Sequence, residues 1–237
     1  MNHDMKSLLL VILIYIQHVE LAAQDSTHVT IKQGATIQEV LKPGEIYYFP
    51  QFTKGEVFYK GGRKASGKMN YTRLFDEMLF IDGKGDTLAM AEEETIKFIA
   101  VGQDTFYYEK GYVRVIADND LVKLAEKQLW VVVDIRKTGT HNTSTNSTGV
   151  TSVNRFRHGD EAMRTPLSLN EDLVLRKETQ YFFGDRTNQF VRAGRKGLLR
   201  LFSKKERNIE SYLKENKIDF ENKEDIEKLY QFISQLY

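Results

Sequence analysis

Between Glu45 and Ile135 the chain reads as a succession of short segments in which apolar and polar residues tend to alternate, separated by glycine-bearing turns. The segments are Glu56 to Lys60 (EVFYK), Glu77 to Asp82 (EMLFID), Thr95 to Val101 (TIKFIAV), Gly111 to Ala117 (GYVRVIA) and Gln128 to Asp134 (QLWVVVD). A period of two puts successive side chains on opposite faces of an extended strand, so each segment predicts a strand with one face to bury. Gly61-Gly62, Gly83 to Asp86 and Gly102 to Asp104 supply the positive φ angles that tight connections demand. The expected fold class is therefore mainly β, an antiparallel meander closing into a sandwich-like or barrel-like sheet. Val131, Val132 and Val133 run together without alternation, which predicts a strand covered on both faces.

Beyond this region the pattern changes twice. Residues 136 to 160, with the run KTGTHNTSTNSTGVTS, hold almost nothing that folding would bury and are expected to form a mobile surface loop. Glu171 to Lys177 and Thr179 to Phe183 then read as one more hairpin, completing the sheet from beyond the loop. The end of the chain switches to a helical period. Ser203 and Glu206 have the spacing of a capping box ahead of Ile209, Tyr212 and Leu213, and Asn222 is placed to cap a second helix carrying Ile226, Leu229, Tyr230, Ile233 and Leu236. A shorter helical piece is expected around Lys196 to Phe202. The strand-rich domain is thus expected over residues 24–185 and a helical tail over 186–237.

The first 23 residues read as a secretory signal peptide. A basic start is followed by nine apolar residues from Leu8 to Ile16, and the small pair Ala22-Ala23 precedes Gln24. Nine residues fall far short of the roughly 20 that span a bilayer, so the run predicts a cleaved signal and no anchor. The expected location is the periplasm or the outer-membrane surface. The sequence has no cysteine, so no disulfide and no lipidated cysteine holds the protein, and stability has to come from its core. With 34 basic and 33 acidic residues the formal net charge is +1, so any electrostatic function has to be local and nucleic acid is not an expected partner. The 12 Tyr and 14 Phe beside only three Pro suit sheets.

The stretch GEVFYKGGRKASGKMNYTRLFDEMLFID, Gly55 to Asp82, with Asn70-Tyr71 followed by Glu77 to Ile81, resembles the N-terminal part of a group of exported Bacteroidetes proteins of unknown function. The tail from Leu198 to Ile233 is similar to the end of the same group. The resemblance implies a bacterial envelope setting and a strand-rich body with a helical tail. It implies no catalytic residue.

Several clusters were weighed for chemistry. His158, Asp160 and Glu161, with His141, collect ligand-type side chains, but on a segment without the rigid support that zinc sites use, so solvated loop charge is the expected reading and no metal is expected. Asp82 to Asp86 (DGKGD) lacks the ligand spacing of a calcium loop and reads as a hairpin turn. The histidines after the leader are His28, His141 and His158, and no serine sits in a nucleophile elbow. Asp76, Glu77 and Asp82 lie close in sequence as candidates for paired-carboxylate glycoside cleavage, which depends on their separation in space. Tyr47, Tyr48, Phe49, Phe52, Phe58 and Tyr59 read as core aromatics. Between residues 192 and 207, Arg195, Lys196, Arg200, Lys204 and Lys205 interleave with Leu198, Leu199, Leu201 and Phe202, a pattern suited either to an anionic membrane surface or to a helix packed on the sheet with wet charges.

These observations lead to an expected function of a non-enzymatic binding or scaffold module of the cell envelope, with no cofactor. Two alternatives stand beside it: a glycan hydrolase using paired carboxylates, and a peripheral protein binding anionic lipid through residues 192–207. Expected partners are an envelope protein, a glycan or anionic lipid.

Overall fold

The computed structural model describes residues 28–137 and 171–237. The expected signal peptide, almost all of the expected mobile loop, and the cluster of His141, His158, Asp160 and Glu161 lie outside the described residues.

Eleven strands form one antiparallel sheet: β1 (His28–Ile31), β2 (Thr53–Tyr59), β3 (Lys64–Thr72), β4 (Glu77–Ile81), β5 (Thr87–Ala89), β6 (Ile96–Val101), β7 (Asp104–Tyr108), β8 (Tyr112–Asp118), β9 (Val122–Lys137), β10 (Glu171–Asp185) and β11 (Phe190–Arg192). Their spatial order is β1-β10-β9-β8-β7-β6-β2-β3-β4-β5, with β11 on β10. The mainly β expectation holds. The sheet also curls back on itself: beyond the end of β3, the Arg73 carbonyl accepts the Trp130 N–H of β9 at 3.0 Å.

Two short helices, α1 (Ile37–Val40) and α2 (Pro43–Ile46), follow β1. Thr36 and Glu39 form a reciprocal capping box on α1, and the Lys42 N–H donates to Glu45 Oε2 at 2.7 Å at the start of α2. Ile37, Leu41 and Ile46 from this segment pack with Ile31, Trp130 and Leu175. The C-terminal helices α3 (Arg195–Leu201), α4 (Glu206–Glu215) and α5 (Lys223–Gln235) put Leu198, Ile209, Ile226, Leu229 and Ile233 against Val122, Leu124 and Phe183 of β9 and β10. The tail therefore packs on its own sheet. A third core, with Val57, Ile99, Phe106 and Tyr112, fills the body of β2 to β8.

Three expectations are corrected. Residues 171–185 form one continuous strand, because the long β9 pairs with β10 from end to end and leaves no turn at Glu178. Ser203 does not cap: residues 203–205 form a 3-10 turn, and α4 begins at Glu206 without a side-chain cap. Asn222 does cap α5, accepting the Asp225 N–H at 3.2 Å. Val131 and Val132 are buried as expected, but Val133 is 38% exposed. Asp134 pairs with Val174 and Val132 with Leu175, so Val133 is the extra residue of a bulge.

Candidate functional site: a polar cleft over the middle of the sheet

Alternation places Val122, Leu124, Glu126, Gln128, Trp130 and Val132 on one face of β9. The first two pack under the C-terminal helices and the last two under the N-terminal helices. Glu126 and Gln128 lie between these cores, where neither helical layer covers the sheet. A cleft of about 1000 Å³ opens there, walled by α5 through Lys223, Glu227, Tyr230 and Gln231 and floored by β7 to β10.

The floor carries a connected chain of polar side chains. Arg73 Nε donates to Gln128 Oε1 at 3.1 Å, and Gln128 Nε2 donates to Glu126 Oε1 at 3.3 Å. Arg114 then bonds Glu126 at 2.5 Å and Asp104 at 2.9 Å. Asp104, Arg114, Glu126 and Gln128 line the cleft itself. Register explains the meeting: Arg114 of β8 lies directly opposite Glu126, and Tyr181 of β10 faces Glu126 from the other side. Tyr48 sits against both guanidinium groups, with Arg73 at 5.1 Å and Arg114 at 5.0 Å from its ring. Arg73 also donates to the carbonyls of Gly44, at 3.0 Å, and Tyr47, which ties it to the N-terminal helices.

Burial and ion pairing act on the two arginines in opposite directions. Burial alone would lower the Arg114 pKa, but the hydrogen bonds and charge of Glu126 and Asp104 outweigh it and raise the pKa further. Burial pulls Arg73 below its ordinary value. The Tyr181 and Tyr230 hydroxyls are pushed up by burial and so stay neutral donors and acceptors at neutral pH. The Arg114 guanidinium engages Glu126 and Asp104 together, so the position of both carboxylates on the cleft floor is set by hydrogen bonds within the protein.

Two of the carboxylates singled out in the sequence, Asp76 and Asp82, are each engaged by groups of their own surroundings. Asp76 is buried and paired with Lys127 at 3.0 Å, while Tyr71 O–H and Tyr112 N–H donate to its other oxygen. Asp82 accepts the N–H groups of Lys84 and Asp86 in its own β4–β5 turn, as a hairpin reading requires. Among the aromatic residues, Tyr48 and Phe49 pack with Phe106, and Phe58 stacks on Phe98 at 4.3 Å. In the basic segment, Arg195 pairs with Glu210 and Lys205 lies over the Tyr237 ring at 5.5 Å. Lys196, Arg200 and Lys204 are exposed around the buried Leu198 and Phe202. None of these five residues lines the cleft.

Sequence reasoning did not single out Asp104, Arg114, Glu126 or Gln128. A signal was present in β9, where Glu126 and Gln128 interrupt an apolar stripe on one face. Arg114 and Asp104 carried none, because only cross-strand register brings them there.

In comparisons with known proteins, no family model, no curated protein and no solved structure matches the chain. Among the described residues no helix is long and apolar enough to cross a membrane.

Proposed function

We propose that this chain is an exported binding module of the bacterial envelope that holds a polar ligand in the cleft between α5 and the sheet without transforming it. The observation that supports this is the hydrogen-bonded chain from Arg73 through Gln128, Glu126 and Arg114 to Asp104, in which two guanidiniums face two carboxylates and whose geometry is set before a ligand arrives. Export and a place among the Bacteroidetes group rest on the sequence alone. The test is a ligand screen read by amide chemical shifts, with product analysis alongside. Binding that shifts Glu126, Gln128 and Thr179 and leaves the ligand intact is expected. A ligand that is consumed, with turnover abolished in Glu126→Gln, would replace this reading with the hydrolase.

A second reading has one observation in its favour: Lys196, Arg200 and Lys204 leave the helical segment wet and exposed. A membrane-surface role predicts binding to anionic vesicles that salt reverses and that is lost when these three residues become Glu.

A further inference from the structure

We infer that the ligand of the cleft is a neutral oligosaccharide; this rests on the binding-module reading and names its ligand class. Three features of the cleft lead there. The first is charge. Asp104, Glu126 and Glu227 stand against Arg114 and Lys223, three carboxylates against two cations, and Arg114 is already engaged by two of the three. An anionic ligand meets no free guanidinium, and a cationic one meets Asp104 and Glu126 already held by Arg114 on the floor and Glu227 beside Lys223, 3.7 Å away, on the α5 wall.

The second is backbone access. The cleft floor lies inside the sheet: Glu126 is paired with Arg114 on one side and Tyr181 on the other, and Gln128 with Thr179. An extended peptide is recognised most economically by adding a strand to an open edge, and no edge is open at these positions. Recognition here has to come from side chains.

The third is the kind of side chain. Carboxylate, guanidinium and amide groups from Glu126, Arg114, Gln128 and Gln231 offer paired planar donors and acceptors, and the half-buried Tyr230 adds a phenol ring with a neutral hydroxyl. Vicinal hydroxyls match such paired groups, and the C–H face of a pyranose matches an aromatic ring. At about 1000 Å³ the cleft reaches the upper end of the range of small-ligand sites, roughly 300–1000 Å³, and accommodates more than one sugar ring.

The experiment titrates the purified protein with cellohexaose, maltohexaose, tetra-N-acetylchitotetraose and a mixed-linkage mannan oligosaccharide. A hexauronate and an uncharged Gly-Ser-Asn hexapeptide serve as competing classes. At least one neutral sugar is expected to shift the amides of Glu126, Gln128, Thr179 and α5. Its affinity is expected to change less than about twofold between 0.05 and 0.5 M salt, since no net charge is exchanged. Glu126→Gln is expected to weaken binding about tenfold, the loss of one charge-assisted hydrogen bond. Because Glu126 also holds Arg114, the pair Tyr230→Phe and Gln231→Ala on α5 provides a second test on the opposite wall, while Lys196→Ala leaves affinity unchanged. Cleft shifts with the hexauronate or the peptide but none with a neutral sugar would overturn the oligosaccharide and leave the binding module standing. No cleft shift with any probe would overturn both.

Discussion

Asp76 occupies the left-handed region at φ 57°, and this single turn residue gathers groups from three parts of the fold. Its carboxylate takes the Tyr71 hydroxyl from β3, the Tyr112 N–H from β8 and the Lys127 ammonium from β9, all out of contact with solvent. Lys127 completes its shell with the carbonyls of Glu109 and Lys110 at 3.3 and 3.1 Å. Lys127→Met leaves a buried carboxylate without its cation and is expected to cost about 3–5 kcal/mol in chemical denaturation. Adding Asp76→Asn removes that charge while keeping an acceptor and a residue that tolerates positive φ, so the double variant should be more stable than Lys127→Met alone. Gly111 has φ 105°, and a Cβ there would lie 1.9 Å from Asp76 Oδ2. Gly111→Ala is therefore expected to lose about 2 kcal/mol or more in the same measurement. In the sequence Asp76 stood out only as one of three neighbouring carboxylates, with Glu77 and Asp82. Its partner lies 51 residues away, and local pattern carries no trace of that pairing.

At the level of elements, legibility followed amphipathic regularity. Strands β4, β6, β8 and β9 and the helices α3 to α5 appeared near their expected places, because each carries a run of apolar residues at the period of its own element. β3 was missed, since its first half is exposed and its second half, Met69 to Thr72, is buried on both faces. β5 and β11, at three residues each, are too short for a period to register, and α1 and α2 each span a single turn. The split expected within 171–185 failed because charged residues at 176–178 resemble a turn, whereas Arg176 and Glu178 pair with each other along one strand. The α5 helix is pinned by Ile226, Leu229 and Ile233, all fully buried. Leu229→Ala is expected to cost about 2–5 kcal/mol in equilibrium unfolding. Because α5 forms one wall of the cleft, the same change should also broaden the amide signals of Lys223 to Gln231.

On the scale of the whole molecule, one end of the sheet depends on a distant partner, β10, while the other closes in the local β4–β5 hairpin. Among the described residues β1 pairs with no strand but β10, with His28 opposite Arg176, and Lys32 clasps Asp172 at 2.7 Å beside the Gln33 N–H. The Lys32 hydrogen bond, then that of Gln33, holds the Asp172 carboxyl below the usual carboxylate range. A depressed pKa contributes stability that is fully present above the unfolded value and is lost as pH falls through the folded one. Amide exchange in β1, corrected for intrinsic rates, is therefore expected to stay level from pH 7 to 5 and to rise below about pH 4. The pairing of β1 with β10 has a further consequence for how the protein is made. A ribosome delivers residues 28–31 long before residues 173–176, so the first strand waits with an unmet edge through most of synthesis. Such wiring delays completion of the sheet until β10 and β11 have emerged, long after the local hairpins between β2 and β9.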